Sequence, residues 1–517
     1  MQTLVADNQA NQKFHIFFGA VIVIGIFLRV FLMDRIPGIN GDEPLFPIRA
    51  QNLLKGQDII WKTGSGVFLN PFYFLPLLSL YLVFEPSFFL LRVPPVFYGI
   101  LTIFLSYFLL RKSLGEKQAK IFTILIALSP QCIAYSRISW DPCMSVLGCI
   151  LTMHFALLNK KFLTALFFII AVIIHPTNIF FFPFTVYLLF FKDTKNLLSE
   201  FKKRIPLMIG AVAIILILGM IAHFSYQDGI LVFIPDFGKN LLRINETPNY
   251  LLNCLNIVTG TTPIYYFVGI MPPLLYLSYT FIFCFTILFS LRKPDIIKAA
   301  LPAIIITIIS ITIFFVAGSP DGVKPHLDRY ALWLMPIAFY TLSIILAKIE
   351  TSYKAIYILA VIMISFFSYA YFYQSITKGN QSHKTFVSGQ VEPKKEAYNF
   401  IHKDAADKKI IIFVEDWWLY WPIKYLAFNE PFKITIFLQE WDFRFPKDFT
   451  MTQEDYASFL SDYEKAYFVS FTDSDFDKYA KNFSKSKLEK SIYGYNKEAI
   501  INIYSTPGKS LIKKNKD

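Results

Sequence analysis

Long apolar runs separated by short basic patches fill the first 373 residues of the chain and then stop. A bilayer core of about 30 Å needs roughly 20 apolar residues per helix. Read on that scale, the pattern predicts eleven membrane helices, at 14–32, 94–110, 121–134, 144–158, 162–174, 179–191, 205–223, 264–291, 299–317, 331–347 and 355–373. The stretch 71–84 is apolar but short, and counting it as a crossing puts the basic loops on alternating sides. It is therefore read as an interfacial or re-entrant helix inside a first outer loop, 33–93.

Beyond residue 373 the pattern changes to that of a water-exposed domain. Segments 409–415, 432–438 and 465–470 alternate or run apolar over strand-like lengths, and 393–404 and 453–462 have helical periodicity. The expected architecture is mainly α and polytopic over 1–373, followed by an α/β domain over 374–517.

Composition sharpens this division. Hydrophobic residues make up 55% of the 517 and charged residues 17%, against roughly 25% charged in soluble domains. The net charge of +13 would suit nucleic acid, but over residues 1–373 the Lys and Arg sit mostly in 111–120, 159–161, 192–204, 292–298 and 348–354. Short basic loops mark the cytoplasmic side, so the charge is read as topology and no nucleic-acid partner is expected. The outer side then receives 33–93, 136–142, 224–263, 318–330 and the C-terminal domain. The first apolar run is followed by no small-residue cleavage site, so it is read as a retained helix of a multi-pass inner or plasma membrane protein. The five cysteines show no CxxC spacing and read as small apolar filler, with a Cys132–Cys143 bridge as the alternative.

The polar residues on the outer side are the candidate chemistry. Asp42-Glu43 follows the first helix directly, and adjacent carboxylates can divide labour when one is kept protonated and the other ionised; a merely acidic solvated loop is the plain alternative. Asp141 lies in the turn after the third helix, four residues from Arg137, where the two could pair along a helix or serve a common pocket. His175 precedes Pro176-Thr177 at a helix end, as a turn residue or a donor to phosphate or sugar. Arg329-Tyr330 enters the tenth helix; a guanidinium there suits a lipid phosphate or headgroup snorkelling. Trp417-Trp418, after Glu415-Asp416, could stack on a sugar or dock on the membrane. No second His stands at metal-ligand spacing, which removes a zinc hydrolase.

In order and sidedness these motifs resemble the GT-C glycosyltransferases of the protein-mannosyltransferase and aminoarabinose-transferase superfamily, over about residues 14–347. The resemblance implies a polyprenyl-phosphate sugar donor and a lipid, glycan or protein acceptor, with inversion at the anomeric carbon. It implies Asp42 as base with Glu43 beside it, and Asp141 supporting the pocket. Arg329, Arg137, Tyr330 and His175 would lie on the donor phosphate, and Trp417 and Trp418 toward the acceptor. A divalent metal (Mg, Mn or Zn) on Asp42 and Asp141 is part of that expectation. Many relatives of the aminoarabinose branch carry a Lys late in the first loop, where this chain has Phe68-Leu69-Asn70-Pro71, with Lys62 the nearest substitute. Competing readings are a lipid-linked-sugar flippase, which places its charges at the bilayer midplane, and an oligosaccharide polymerase or ligase, which uses a large late loop such as 224–263.

Overall fold

The computed structural model describes residues 2–63, 68–192, 243–269, 279–281, 283–284, 293–318, 323–324, 327–349, 352–380, 383–405, 408–436, 460, 462–483 and 485–508. Among these, four helices are long and apolar enough to cross a membrane: Gln12–Val30, Phe88–Leu114, Pro294–Val316 and Lys354–Lys378. Shorter apolar helices cover most of the remaining expected crossings, including Lys161–Ile174 and Leu334–Lys348. Of the eleven expected crossings, four are clear spans among the described residues. The expected segment 205–223 lies outside the described residues, as does most of 264–291.

Helix α1 (Gln2–Val30) leads into an irregular loop and the short helices α2 (Leu45–Leu54) and α3 (Pro71–Tyr81). Asn70 starts α3 by accepting the Phe72 amide at 3.0 Å, and Pro71 fits the first helical position because its missing donor is not needed there. Helix α4 (Phe88–Leu114) is capped by Ser87, which accepts the Leu90 amide at 3.1 Å. It begins six residues before the first residue expected from hydropathy. Both Pro94 and Pro95 lie within its first turns.

The expected helix 121–134 is broken in two. Pro130 has no amide to continue the ladder, so α5 (Glu116–Leu128) stops and α6 (Pro130–Tyr135) restarts behind a Ser129 cap that accepts the Cys132 amide at 3.3 Å. Every residue of α5 from Ala119 to Leu128 is buried, as an all-round apolar helix must be. Arg29 ties α1 to it by donating to the carbonyls of Ile126 and Ala127 at 3.1 and 2.8 Å. Helices α7 (Ser145–Leu157), α8 (Lys161–Ile174) and α9 (Phe182–Phe190) complete the N-terminal half. The later part contributes α10 (Thr247–Thr259), α11 (Thr261–Val268), α12 (Pro294–Ile313), α13 (Leu334–Lys348), α14 (Ser352–Phe367) and α15 (Gln374–Lys378). Cys132 and Cys143 are both free thiols, so the alternative of a bridge between them does not hold.

The C-terminal part forms a five-stranded sheet in the order β2-β1-β3-β5-β4, from β1 (Ile410–Val414), β2 (Lys433–Ile436), β3 (Lys465–Phe471), β4 (Lys487–Tyr493) and β5 (Ala499–Pro507). Strands β1, β2 and β3 are parallel, and β5 runs antiparallel between β3 and β4. All five residues of β1 are buried, the run expected of a parallel strand covered on both faces. Ile410, Ile412 and Val414 pack under α16 (Pro393–Ala405) and α17 (Trp417–Leu426), whereas Ile411 and Phe413 meet Phe476 and Ala480 of α18 (Asp475–Asn482). Strands β4 and β5 were not expected: β4 is an edge whose Lys and Glu positions weaken its apolar pattern. The expected helix 453–462 falls almost wholly outside the described residues.

Candidate functional site

The segment between α1 and α2 carries Asp42-Glu43, and the two carboxylates have different surroundings. Glu43 is fully buried, and each oxygen takes two donors. Oε1 accepts Arg92 Nη2 at 2.6 Å and the Asn40 amide at 2.8 Å, while Oε2 accepts Arg92 Nε at 2.8 Å and the Ser139 amide at 2.9 Å. Its lone pairs are saturated. Asp42 is half-buried, with its amide held by Asn40 Oδ1 at 2.8 Å. Glu43 thus tethers the loop that presents Asp42 to the turn that leads to Asp141.

That turn is not one helix. α6 ends at Tyr135 and a 3-10 turn, Asp141–Met144, begins at Asp141, so the helical pairing of Arg137 with Asp141 is not made. Instead the Arg137 guanidinium donates to the carbonyls of Leu28, Arg29, Phe31 and Ile36 at 2.7 to 3.0 Å. These include the orphan acceptors at the end of α1, where a cation is stabilising. Committed to four carbonyls and fully buried, Arg137 has little left to offer a phosphate.

Arg329 stands at the centre of the remaining candidates. It lies over Trp140 at 4.4 Å and Tyr330 at 5.0 Å from the ring centres, and its Nη2 donates to the Tyr330 hydroxyl at 3.3 Å. Tyr330 stacks on His175, centroids 5.2 Å apart. His175 Nδ1 is engaged by Thr177 Oγ1 at 2.7 Å, so the ring closes its own turn while supporting Tyr330. Arg329 acts electrostatically on Asp141 and His175, and Asp42 in turn acts on Arg329 and on Tyr266 of α11. Asp42, Asp141, His175, Arg329 and Tyr330 are therefore gathered from four separate segments, whereas Glu43 and Arg137 lie in the layer that supports them.

Several contributors were not foreseen. Buried Asp328 accepts Tyr135 Oη at 2.6 Å and Gln131 Nε2 at 2.8 Å, which anchors the Arg329 turn to α6. Arg92, the counter-ion of Glu43, was visible as a lone charge entering an apolar run. Such a charge needs a partner. Arg49, the fifth residue of α2, has its Nη1 sealed from solvent with no hydrogen-bond partner.

Trp417 and Trp418 stack on each other at 3.7 Å, and Trp418 meets His383 edge-on at 4.7 Å. Their backbone presses on the loop beside Asp42: a Cβ on Gly41 would lie 2.9 Å from both Trp417 O and Trp418 Cα. Among the described residues no three His, Cys, Asp or Glu side chains gather to hold an ion. Asp42 and Asp141, the two carboxylates on which a metal is expected, have the Arg329 cation acting beside them.

Solved structures identify the fold. ArnT from Cupriavidus metallidurans in its apo state superposes with a TM-score of 0.55 at 12% identity, covering 97% of this chain and 99% of that one. The fold is that of ArnT. The same protein bound to undecaprenyl phosphate gives a TM-score of 0.50 at 12% identity, over 96% and 99%. An oligosaccharyltransferase from Archaeoglobus fulgidus, in complex with Zn and sulfate, gives 0.46 at 14% identity over 88% and 67%. No protein-family model and no curated sequence relative matches. The superposition on ArnT covers nearly the whole of both chains.

Proposed function

We propose that this protein is a membrane glycosyltransferase that moves a sugar from a polyprenyl-phosphate donor to a hydroxyl of a lipid, glycan or protein acceptor. The observation that carries this reading is the gathering of Asp42 and Asp141 around Arg329 on the ArnT fold. The ArnT neighbour with undecaprenyl phosphate bound supports a donor of that class. Sidedness follows from the basic loops: the site and the C-terminal domain, 374–517, face the extracytoplasmic space.

In this reaction the acceptor oxygen attacks the anomeric carbon as the bond from that carbon to the phosphate oxygen breaks. Its proton passes to Asp42, and polyprenyl phosphate leaves with its charge met by Arg329. Tyr330, stacked on His175, orients that guanidinium. A single displacement inverts the anomeric centre. Asp141 supports the same pocket, and Trp417-Trp418 border it on the acceptor side. Glu43 and Arg137 serve by holding the backbone. Arg49 brings a second positive charge close to the loop, suited to an anionic group on the acceptor.

The test is release of polyprenyl phosphate and formation of a glycosylated product by purified protein in lipid nanodiscs, supplied with a short-chain polyprenyl-phosphate sugar. Wild type should turn over and Asp42→Asn should not. Movement of donor across the bilayer without transfer would favour the flippase reading.

A further inference from the structure

The loop that presents Asp42 is held from two sides. From within, Arg92 donates to the carbonyls of Met33, Pro37 and Gly38 at 2.8 to 3.2 Å, in addition to its pair with Glu43. From outside, a strap in the sequence His383 to Lys394 runs alongside it. The Gly38 amide donates to Phe386 O at 3.0 Å, the Ile39 amide to Glu392 Oε1 at 3.4 Å, and Thr385 Oγ1 to Ile39 O at 3.4 Å. Arg35 donates to Gln390 O.

The closeness of this seam explains two glycines. A Cβ on Gly38 would lie 2.5 Å from Val387 O and 2.7 Å from Phe386 C, both backbone atoms that cannot swing aside. Gly41 meets the Trp417-Trp418 backbone in the same way. Neither glycine has a positive φ, so close approach alone excludes a side chain. Both precede Asp42 by no more than four residues.

The strap has its own anchor. Glu392 and Lys394 are a buried ion pair at 2.7 Å. Glu392 Oε2 accepts the amides of Lys394 and Lys395 at 2.7 and 3.0 Å, which caps α16, and Lys394 Nζ donates to Thr385 O at 2.9 Å. Phe386 packs edge-on to Tyr266 and Phe267 at 5.1 and 5.0 Å, so the strap touches the α11 helix that also faces the site. Two buried charges are costly unless satisfied. Here Glu392 ties the start of α16 to the Asp42 loop through the Ile39 amide, and Lys394 ties it to the strap through Thr385 O.

We propose that this strap is the outer mount of the Asp42 loop and that Glu392 is its positioning residue, so that the C-terminal domain completes the active site. The proposal rests on the reading of Asp42 as the base. A rigid mount matters because a reacting group misplaced by about 1 Å can cost on the order of a hundredfold in rate.

The test uses the full chain in nanodiscs, with two variants altered outside the catalytic groups: Gly38→Ala, and the double change Glu392→Ala/Lys394→Met, which leaves no unpaired buried charge. Amide hydrogen exchange in peptides spanning 36–43 should rise about tenfold while β1, β3 and α4 stay protected. Transfer should lose on the order of tenfold in kcat with the donor KM unchanged. Glu392→Gln/Lys394→Met keeps an acceptor for the Ile39 and α16 amides and should restore both readouts toward wild type. Unchanged exchange at 36–43, or faster exchange with unchanged kcat, would overturn the proposal. If either change unfolds the protein generally, Thr385→Val removes one bond to Ile39 alone; exchange at 36–43 should then rise more modestly, and no rise would count against the mount. Absence of transfer by wild type would remove the base role of Asp42, yet the exchange measurements would still decide whether the strap holds the loop.

Discussion

Arg92 and Glu43 form an ion pair at 2.6 Å with both side chains wholly removed from solvent. The pair joins α4 to the loop after α1, and through the Ser139 amide to the turn before Asp141. Two neighbouring carboxylates are thereby given unlike tasks: Glu43 holds the scaffold, and Asp42 is presented to the cluster around Arg329.

Glu43→Gln should therefore cost folding rather than chemistry. Breaking one side of a buried pair leaves an uncompensated charge and costs about 3–5 kcal/mol, so expression and thermal midpoint should drop sharply. Asp42→Asn should leave both near wild type while abolishing transfer. Size-exclusion profiles and thermal scans of the two variants, set beside their turnover, check this directly; equal stability of both variants would contradict it.

Arg329→Lys keeps the charge but loses the planar fork and its stacking between Trp140 and Tyr330. If the guanidinium meets the departing phosphate, kcat should fall on the order of tenfold to a hundredfold, with little change in thermal midpoint. Donor titration separates this from a binding role, which would raise KM alone.

Arg49 offers a contrasting case. With Nη1 buried and unbonded, Arg49→Gln should raise the thermal midpoint of the substrate-free protein, because functional residues are often kept at a cost in stability. The same variant should raise KM for an acceptor bearing a phosphate or carboxylate and leave that for the donor alone. A lowered midpoint would mark Arg49 as a structural residue.

The Asp416 carboxyl is pushed up to about 7 by burial, and then by the charge of neighbouring Glu415. Lys394 and the amides of Leu419 and Trp418 oppose that shift. Its folded value lies above its ordinary 3.8, so the folded state holds the proton more tightly and loses stability as pH rises from about 4 to about 7. Asp416→Asn still caps α17 and should remove that part of the decline. The difference in thermal midpoint between wild type and variant, measured across this window, should widen in the variant's favour toward pH 7.

What the amino-acid order determined by itself is local. Apolar runs of bilayer length announced the spans at α1 and α4, and the short apolar stretch from residue 71 announced α3. The apolar run around Ile410 announced a buried strand, because each of these patterns is written in neighbouring residues. The basic segments likewise carry the expectation that Asp42, Asp141, His175 and Arg329 lie on loops of one sidedness.

Which of those residues meet, and what each is left to do, came only from tertiary contacts. Glu43 finds Arg92 across 49 positions and Arg137 finds the end of α1 across more than 100; Ile39 finds Glu392 across 353. No periodicity records such pairings. Desolvation decided the outcome: a buried carboxylate or guanidinium must spend its hydrogen bonds on whatever the fold brings to it. Glu43 and Arg137 spend theirs on the backbone for that reason, and Asp42 and Arg329 are left at the candidate site.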